Sequence, residues 1–347
     1  MCAAVRTIST RWIWKTVIVV ALALAAVGIK GCIDYALQLP ERQARERIQT
    51  QIADVGAGRQ RHVFVSNELH EAAFDEFVRN RETIEANGPF ELIVEYSRDT
   101  DEFLEQIAGL KRVETLLLGK NDVTDAGMEF VATLPDLKSL SVYKVRISDA
   151  GLEHVGACRQ LESLYLEPRV ATDITEAGME SLAAIANLKT LSLHNVHVTD
   201  AGLAKLAGCP QLESLYLVGQ DSDITETGME SLAAFPSLRA LKLYDVHVTD
   251  AGLEKLRQCP HLETLYLKPR VAEEFTISAV LALPHLRELT FWDRSEDRWL
   301  EARLPQLEQA TNLKKLTLVA KPLSDMPVAA LRRKLPDCTI VTKNHDY

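Results

Sequence analysis

The chain has 347 residues, of which 47% are hydrophobic and 25% are charged, and this balance is typical of a globular protein. The formal net charge is −10, although residues 1–60 contain eight Lys or Arg and only four Asp or Glu. The acidic excess therefore lies in the rest of the chain. Because a nucleic-acid-binding face must be basic to contact phosphates, this charge argues against DNA or RNA as a partner.

An apolar segment lies close to the N-terminus. Thr16–Ile29 is an uninterrupted apolar run of 14 residues, and its extension to Ile33 gives 18 residues that include Lys30. Three basic residues precede the run, as is typical of the cytoplasmic side of a membrane-spanning helix. We therefore predict a signal anchor that crosses the lipid bilayer once over residues 16–33, with residues 1–15 as a cytoplasmic tail and the remainder extracytoplasmic.

Two other fates of this segment remain open. The run is short and rich in alanine, which is also typical of a cleaved signal peptide and would leave a secreted protein. Cys32 follows Ile29-Lys30-Gly31, a weak resemblance to a lipoprotein processing site, but Lys30 stands where a small residue is expected. The orientation is also open, because basic residues follow the run on its other side.

Two segments connect the apolar run to the repeats that begin near Phe90. Residues 34–60 are rich in charge and predict an exposed juxtamembrane helix or stalk. Residues 61–88 contain an amphipathic stretch with Leu69, Ala73, Phe77 and Ile84 as apolar members. Because a repeat array needs terminal units that cover its open ends, we predict that residues 61–88 form an N-terminal cap.

From Phe90 onward the sequence repeats itself every 24 to 27 residues. The block CRQLESLYL, which begins at Cys158, returns as CPQLESLYL from Cys209 and as CPHLETLYL from Cys259. Each block contains L-x-x-L-x-L, whose alternation places leucines on one face of a short strand. The residues that mark this strand position in successive units are Leu92, Leu116, Leu140, Leu164, Leu191, Leu215, Leu241, Leu265, Leu289, Leu316 and Ile340. One unit cannot bury its apolar side alone, so the units must stack into a continuous core.

The second half of each unit predicts a helix. Leu203, Leu206 and Cys209 are three residues apart and form one apolar stripe, and the other units show the same spacing. Threonines precede the helices, where a hydroxyl can cap free backbone N–H groups: Thr175, Thr199, Thr225 and Thr249. A glycine recurs in each first turn, which predicts close packing at that point: Gly127, Gly151, Gly178, Gly202, Gly228 and Gly252.

Three of the six cysteines occupy one position of the repeat: Cys158, Cys209 and Cys259. Leucine, isoleucine or phenylalanine fills the same position in the intervening units, so we predict that these thiols are buried as small apolar groups. They lie two repeats apart, too far for disulfides, and no C-x-x-C spacing indicates zinc.

The strands, the (V/I)-T-(D/E)-x-G-(L/M) helix starts and the recurrent cysteines together resemble the leucine-rich-repeat family. The resemblance is to its cysteine-containing subtype, in a membrane-anchored protein of bacterial type with an unknown ligand. It implies an α/β horseshoe-shaped solenoid over residues 89–321, with a parallel concave sheet and convex helices. A last repeat and C-terminal cap would follow over residues 322–347. The family's usual Asn after the strand is present only as Asn121, so we expect no buried ladder of asparagines.

Strand positions that point away from the core line the concave face. They gather aromatic and polar side chains, as protein-binding hot spots do, and we predict that they bind a partner. These residues are Tyr143, Tyr165, His194, Tyr216, Lys242, Tyr244, Tyr266, Lys268 and Trp292. The competing interpretation is that tyrosine simply favours strands and was copied when pairs of repeats were duplicated.

The sequence lacks the common motifs of catalytic and phosphate-binding sites, such as G-x-S-x-G, H-E-x-x-H and glycine-rich phosphate loops. His194 and His197 form an H-x-x-H without a further ligand at matching spacing, and the acidic turns lack a calcium-loop pattern. We therefore expect no enzymatic activity, no cofactor and no metal.

The predicted function is a non-enzymatic protein-interaction module that is tethered to a membrane and binds its partner on the concave face. The alternative is a soluble substrate-recognition subunit of a ubiquitin ligase, because similar cysteine-type repeats accompany F-box domains. The residues before Phe90 contain no convincing F-box, and the apolar run argues against a cytosolic adaptor.

Overall fold

The fold was analysed in a computed structural model of the whole chain. It describes residues 30–59, 61–66, 71–86, 88–95, 100–170, 174–219, 224–269, 276–293, 299–320 and 323–344. The predicted cytoplasmic tail and most of the predicted signal anchor, residues 16–33, lie outside the described residues. Their assignment therefore remains a prediction.

Strands and helices alternate from the first described strand to the last. The strands are β1 His62–Ser66, β2 Phe90–Glu95, β3 Val113–Gly119, β4 Ser139–Val145, β5 Ser163–Pro168, β6 Thr190–His194, β7 Ser214–Val218, β8 Ala240–Val246, β9 Thr264–Pro269, β10 Glu288–Trp292, β11 Lys315–Ala320 and β12 Thr339–Asn344. The helices are α1 Lys30–Gly56, α2 Glu71–Arg79, α3 Arg81–Ala86, α4 Thr100–Gln106, α5 Asp125–Val131, α6 Asp149–Gly156, α7 Glu176–Ala183, α8 Asp200–Leu206, α9 Glu226–Ala233, α10 Asp250–Leu256, α11 Ile277–Leu281, α12 Trp299–Leu307 and α13 Asp325–Lys334.

The twelve described strands form one parallel sheet in which spatial order equals sequence order. The predicted strand leucines pair with one another across the sheet, from Leu92 opposite Leu116 to Leu316 opposite Ile340. This confirms the alignment of the repeats and the α/β horseshoe. The sheet also extends one strand earlier than the repeat pattern indicated, because β1 pairs with β2 and places Val63 opposite Leu92.

The core is a continuous stack of leucine rows between the sheet and the helices. In β5, Leu164 and Leu166 are buried, while Ser163, Tyr165 and Glu167 are half-buried on the opposite face. Burial of one leucine contributes roughly 1.5–3 kcal/mol, so each repeat adds several such contributions to the same core. The stack of repeats therefore positions the concave face as a rigid surface.

The predicted threonines do cap the helices, in two alternating ways. Before α7, the Asp149 carboxylate accepts hydrogen bonds from Thr175 N at 2.8 Å and from Thr175 Oγ1 at 2.5 Å. Before α8, Glu176 replaces the aspartate and accepts only from Thr199 Oγ1, at 2.8 Å. Thr199 Oγ1 then accepts from Gly202 N at 3.1 Å. One pair of repeats later Asp200 holds Thr225 in the first way, and Gly252 N donates to Thr249 Oγ1 at 3.1 Å as in the second, so the alternation follows the duplicated pair.

The aspartate arrangement explains the first-turn glycines. A Cβ at Gly228 would collide with Asp200 Oδ1 and would lie 2.9 Å from Ile224 Cγ2. At Gly202 the nearest atom to a Cβ would be Met179 Cγ, at 3.2 Å. A first-turn glycine is therefore strictly required where the aspartate caps the helix, as at Gly228, and only weakly required in the other repeat of the pair, as at Gly202.

The three repeat cysteines are buried, as predicted. The Sγ atoms of Cys209 and Cys259 point toward the carbonyl oxygens of Leu182 and Leu232, at 3.7 and 3.6 Å. Burial raises the pKa of the Cys158, Cys209 and Cys259 thiols to about 11. These thiols therefore act as small apolar groups of the core.

The asparagine position also follows the prediction. Asn121 Nδ2 donates to Val94 O at 3.1 Å, and Val123 N donates to Asn121 Oδ1 at 3.3 Å. Three of the later repeats bury a valine at the equivalent position: Val145, Val196 and Val246. Apolar contacts there replace a ladder of amide hydrogen bonds.

Helix α1 lies where an exposed juxtamembrane helix or stalk was predicted, and one of its faces is buried. The helix runs without a break from Lys30 to Gly56 and packs against β1 and α2. Its inner face buries Ala44, Ile48 and Ile52, because these residues recur every four positions and form one apolar stripe. Ala73, Phe77 and Ile84 of the predicted cap are buried as well, next to α1. Within the described residues, no helix combines the length and the apolar character that a membrane span requires.

Candidate binding surface on the concave face

Three parallel rows of side chains line the concave face, one for each outward position of the strands. The first row consists mainly of small hydroxyl residues, such as Ser163, Thr190 and Ser214, which pair in register. The middle row contains Tyr165, Ser192, Tyr216, Lys242, Tyr266 and Thr290. The third row contains Tyr143, Glu167, His194, Val218, Tyr244, Lys268 and Trp292. All nine predicted residues therefore lie in the middle and third rows of the concave face, where strand alternation had placed them.

Three of the predicted residues form an aromatic cluster, which we define as Tyr244, Tyr266 and Trp292. The two tyrosine rings stack with centroids 4.8 Å apart, and Trp292 meets Tyr244 edge-on at 5.6 Å. Tyr244 Oη donates a hydrogen bond to Tyr266 Oη at 2.6 Å. Burial raises the pKa of Tyr266 well above its ordinary value, and the hydrogen bond with Tyr244 adds to this shift. Stacking and hydrogen bonding together hold the rings in one arrangement.

Two lysines sit against these rings. Lys242 Nζ lies 4.0 Å from the Tyr216 ring centroid and 6.0 Å from that of Tyr266, within cation–π range. Lys268 is only 5% exposed and donates to Asp245 Oδ2 at 2.7 Å. Among the described residues no carboxylate forms an ion pair with Lys242. Lys268 is thus neutralised within the surface, whereas Lys242 lies against the Tyr216 ring without a carboxylate partner among the described residues.

Asp245 is a member of this surface that sequence reasoning missed. It follows the outward strand positions and has φ 54°, at a bulge between Tyr244 and Val246. The left-handed backbone turns its side chain toward Lys268, one repeat away. The repeat position could have indicated this role, because a polar residue stands at the same strand end in other repeats. These residues, Lys120, Lys144 and Asn195, share the left-handed backbone conformation of Asp245.

Tyr165 and His194 form a second group on the neighbouring strands. Their ring centroids are 4.6 Å apart, Tyr165 Oη donates to Glu167 Oε2 at 2.7 Å, and His194 Nε2 lies 3.0 Å from Ser192 Oγ. Burial raises the pKa of Tyr165, and Glu167 adds to this shift. Burial also lowers the pKa of His194, so the imidazole is neutral near pH 7.

Among the described residues Tyr143 forms no ring contact with either group, although its strand position pairs with Glu167. Lys120 Nζ and Lys144 Nζ are 5.5 and 5.0 Å from its ring centroid, and both lysines are exposed. The nine predicted residues thus divide into three sets. The six-residue group, which includes the aromatic cluster, is Tyr216, Lys242, Tyr244, Tyr266, Lys268 and Trp292. The other two sets are the Tyr165–His194 pair and Tyr143.

This geometry suits binding better than bond-breaking chemistry. Burial raises the pKa values of Tyr165 and Tyr266, so these two tyrosines stay protonated near pH 7 and offer hydroxyl donors and aromatic faces instead of nucleophilic oxygens. In the described part of the chain, no three His, Cys, Asp or Glu side chains converge as a metal site would require. What the surface offers is fixed aromatic area, hydroxyl groups and one unneutralised ammonium group.

The repeats match a known family over part of their length. Residues 222–331 match the family described as "FBD-associated F-box protein At5g56370, LRR repeats". Over this part of the chain the repeats match leucine-rich repeats. The match covers β8, β9, β10 and β11, which carry the aromatic cluster. Leucine-rich-repeat folds of this kind typically serve as interaction modules without enzymatic activity, and their concave sheets are extended binding surfaces. A comparison with curated proteins gives no match.

Two solved leucine-rich-repeat structures are similar at low identity. One is an internalin (inlF) from Listeria monocytogenes str. 4b F2365, with 16% identity over 77% of this chain and 82% of that chain, at a TM-score of 0.42. The other is the TLR13–ssRNA13 complex, with 16% identity over 82% of this chain and 49% of that chain, at a TM-score of 0.46. At this distance neither similarity identifies a ligand.

Proposed function

We propose that this chain is a protein-interaction module that captures its partner on the concave face, at the aromatic cluster and Lys242. The observation that carries the proposal is the fixed arrangement of the rings, in which Tyr244, Tyr266 and Trp292 contact one another before any partner arrives. A preorganised surface loses little conformational entropy on binding, so more of the contact energy becomes affinity.

The composition of this group matches what interface hot spots use. Tyrosine and tryptophan are enriched in hot spots because they combine a large apolar area with a polar group. Lys242 adds a cation held against Tyr216, which an acidic group of the partner can neutralise. The Tyr165–His194 pair extends the same surface toward the N-terminal repeats.

A protein is a better candidate than a nucleic acid because the chain carries a net charge of −10. The concave rows also contain too few unpaired cations to follow a phosphate backbone, since Lys268 already pairs with Asp245. If the purified protein bound single-stranded RNA or DNA with a steep salt dependence, this part of the proposal would be wrong.

Proximity labelling from the intact cell, followed by affinity measurement with the purified candidate, tests the binding surface. The double variant Tyr216→Ser with Tyr266→Ser removes two rings and the cradle of Lys242. Serine and threonine already occupy the same row at Ser192 and Thr290, so the variant should fold. We expect a loss of affinity of roughly thirtyfold or more, because hot-spot truncations cost about 2 kcal/mol or more each.

The matched control is Tyr143→Ser, the same substitution on the same face but outside the six-residue group. It should reduce affinity by less than about threefold, as peripheral contacts of an interface do. If the double variant bound its partner as tightly as the control, the concave aromatic surface would not be the binding site.

We further propose that residues 16–33 tether the module to a membrane and that the repeats are extracytoplasmic. The support is the apolar run Thr16–Ile29 with basic residues before it. Alkaline carbonate extraction of cell membranes should leave the protein in the pellet, and protease added outside the cell should digest the repeats. Recovery in the soluble fraction would contradict the tether, and a lipid-modified Cys32 would indicate the lipoprotein alternative.

A second candidate function is substrate recognition within a ubiquitin ligase. The family match over residues 222–331 favours it, because that family is named for an F-box protein. It requires a soluble protein that co-purifies with the other ligase subunits. Cytosolic recovery together with such co-purification would replace the membrane-tethered proposal, whereas membrane recovery without it would remove this candidate.

A further inference from the structure

A row of charged side chains runs along the edge of the sheet, just before the strands begin. We define this edge row as Glu114, Lys138, Glu162, Lys189, Glu213, Arg239, Glu263, Arg287 and Lys314. Each member is adjacent to the next, because the backbone N of each residue donates to the carbonyl of the member before it, from Lys138 N to Glu114 O at 2.9 Å to Lys314 N to Arg287 O at 2.7 Å.

Acidic and basic residues alternate along most of the edge row, so it neutralises itself. Lys138 pairs with Glu114 at 2.5 Å and Lys189 with Glu162 at 2.8 Å. The hydrogen bond that Lys138 donates to Glu114 raises the pKa of Lys138, as expected for a paired ammonium group. Surface pairs of this kind contribute little to stability, but they leave no net charge to attract a ligand.

The alternation breaks at the last charged positions. Arg287 and Lys314 are neighbours of the same sign, where the pattern predicts an acidic residue at 314. The acidic neighbours are already engaged, since Glu263 pairs with Arg239 at 3.3 Å and Glu288 with Lys315 at 3.4 Å. No carboxylate in the described ranges forms an ion pair with Arg287 or Lys314. The next strand offers Cys338, an uncharged residue, at the equivalent place.

The two unpaired cations line a groove with a volume of about 570 Å³. His261 and His285 line it from the preceding repeats, and each follows a proline in its turn. Thr311 and Asn312 add a hydroxyl and an amide from the turn before β11. Glu263 also lines the groove, and its carboxylate pairs with Arg239 at 3.3 Å. Both cations are exposed, so a ligand can reach them from solvent. The groove lies at the strand edge, away from the concave rows.

We propose that this groove binds a phosphomonoester, with the phosphoryl group between Arg287 and Lys314 and the organic part between the two histidine turns. A phosphomonoester carries nearly two negative charges at neutral pH. Two adjacent cations match this charge better than they match the single charge of a carboxylate ligand. The planar guanidinium of Arg287 can donate two parallel hydrogen bonds to phosphoryl oxygens, and Lys314 acts as a point charge.

The size of the groove supports an organic part. Small-molecule pockets usually measure about 300–1,000 Å³, so a groove of this volume has room for more than a bare phosphate ion. The imidazole and proline rings of the two turns form its walls, and Thr311 and Asn312 provide further polar contacts. The ligand can be a small metabolite or a phosphorylated side chain of a protein, and both carry the same chemistry.

Isothermal titration calorimetry on the full-length protein tests the site with four probes: inorganic phosphate, O-phosphoserine, a phosphoserine peptide and glucose 6-phosphate. The informative variant is Lys314→Glu, which restores the alternation and supplies a partner for Arg287. Its melting temperature should therefore equal or exceed that of the wild type, while binding of the organic phosphates should fall by about a hundredfold.

The matched control compares Lys314→Gln with Lys315→Gln, two neighbouring substitutions that change the net charge equally. Lys314→Gln should weaken binding about tenfold, and Lys315→Gln by less than about threefold, because Lys315 already pairs with Glu288. Tighter binding of the peptide than of free phosphoserine assigns the site to a protein ligand. Tighter binding of glucose 6-phosphate assigns it to a metabolite.

Three outcomes would overturn the proposal: no binding of any probe by the wild type, equal binding by the wild type and Lys314→Glu, or inorganic phosphate binding as tightly as the organic phosphates. The concave-face substitutions Tyr216→Ser and Tyr266→Ser should leave phosphate binding unchanged. Failure of one proposal therefore does not affect the other.

Discussion

The first-turn glycines allow a sharp test of the packing between helices. Gly228 and Gly202 occupy the same position in adjacent helices, α9 and α8, but their surroundings differ. A Cβ at Gly228 would collide with Asp200 Oδ1 and lie 2.9 Å from Ile224 Cγ2 and 3.1 Å from Leu203 Cδ1. At Gly202 it would approach Met179 Cγ at 3.2 Å and Thr199 Oγ1 at 3.6 Å.

The expected magnitudes follow from what must move. In Gly228→Ala the Asp200 carboxylate must retreat and weaken its bonds to Thr225 N at 2.8 Å and Thr225 Oγ1 at 2.5 Å. Loss of a hydrogen bond to a charged group costs about 1.5–3 kcal/mol, and overpacking costs about 1–3 kcal/mol. The higher helix propensity of alanine returns at most about 1 kcal/mol. We expect a net destabilisation of about 2–4 kcal/mol.

In Gly202→Ala only an unbranched methionine side chain has to shift by a few tenths of an ångström. The gain in helix propensity offsets this cost, so the change in unfolding free energy should stay within about 1 kcal/mol of zero. Urea denaturation followed by circular dichroism measures both variants, with Tm from calorimetry as a second readout. Equal effects of the two substitutions would refute the assignment of the constraint to the aspartate carboxylate.

Three further predictions concern the core and the buried titratable groups. Leu265→Ala should lower the unfolding free energy by about 2–5 kcal/mol in urea denaturation, since Leu265 is fully buried; a loss below about 1 kcal/mol would contradict its place in the core. Alkylation followed by peptide mass spectrometry at pH 8 should modify Cys338 well before Cys259, whose thiol is buried with a pKa raised to about 11; equal rates would argue against that burial. Because folding raises the pKa of Tyr266 above its ordinary value of 10.0, its stabilising contribution is present below pH 10 and is lost as pH rises above 10. Tm should therefore fall above pH 10, and it should fall less in Tyr266→Phe.

Much of the architecture could be predicted from the chain because the repeat is a one-dimensional pattern. The spacing of the strand leucines predicted the register that β2 to β12 adopt. The threonine caps and the buried cysteine position also followed from single repeats, since a cap or an apolar stripe depends on residues only a few positions apart.

The burial of α1 could not be read from the sequence of residues 34–60, for which an exposed helix or stalk was predicted. Residues 34–60 are rich in charge, and charge dominated the interpretation, yet Ala44, Ile48 and Ile52 form a narrow apolar stripe that α1 buries. The stripe is weak in a sequence with many arginines and glutamates. Whether such a helix is exposed depends on whether a complementary surface lies beside it, and β1 and α2 provide that surface.

The candidate surface was predicted in outline and not in detail. Strand alternation was enough to place Tyr216, Lys242 and Tyr266 in one row of the concave face. It could not show that Lys268 is neutralised by Asp245 while Lys242 is not, because that difference depends on a bulge with positive φ at Asp245.

By itself the sequence determined the repeat, the parallel sheet and the side of the sheet on which each strand residue lies, because all three follow from periodicity along the chain. Only the tertiary structure decided which side chains of adjacent repeats meet. Tyr244 and Tyr266 share a hydrogen bond, Asp200 holds Thr225, and Arg287 lies beside Lys314 without an acid between them. The physical reason is that stacking brings together residues more than 20 positions apart, and local backbone turns and side-chain rotamers then select the contact.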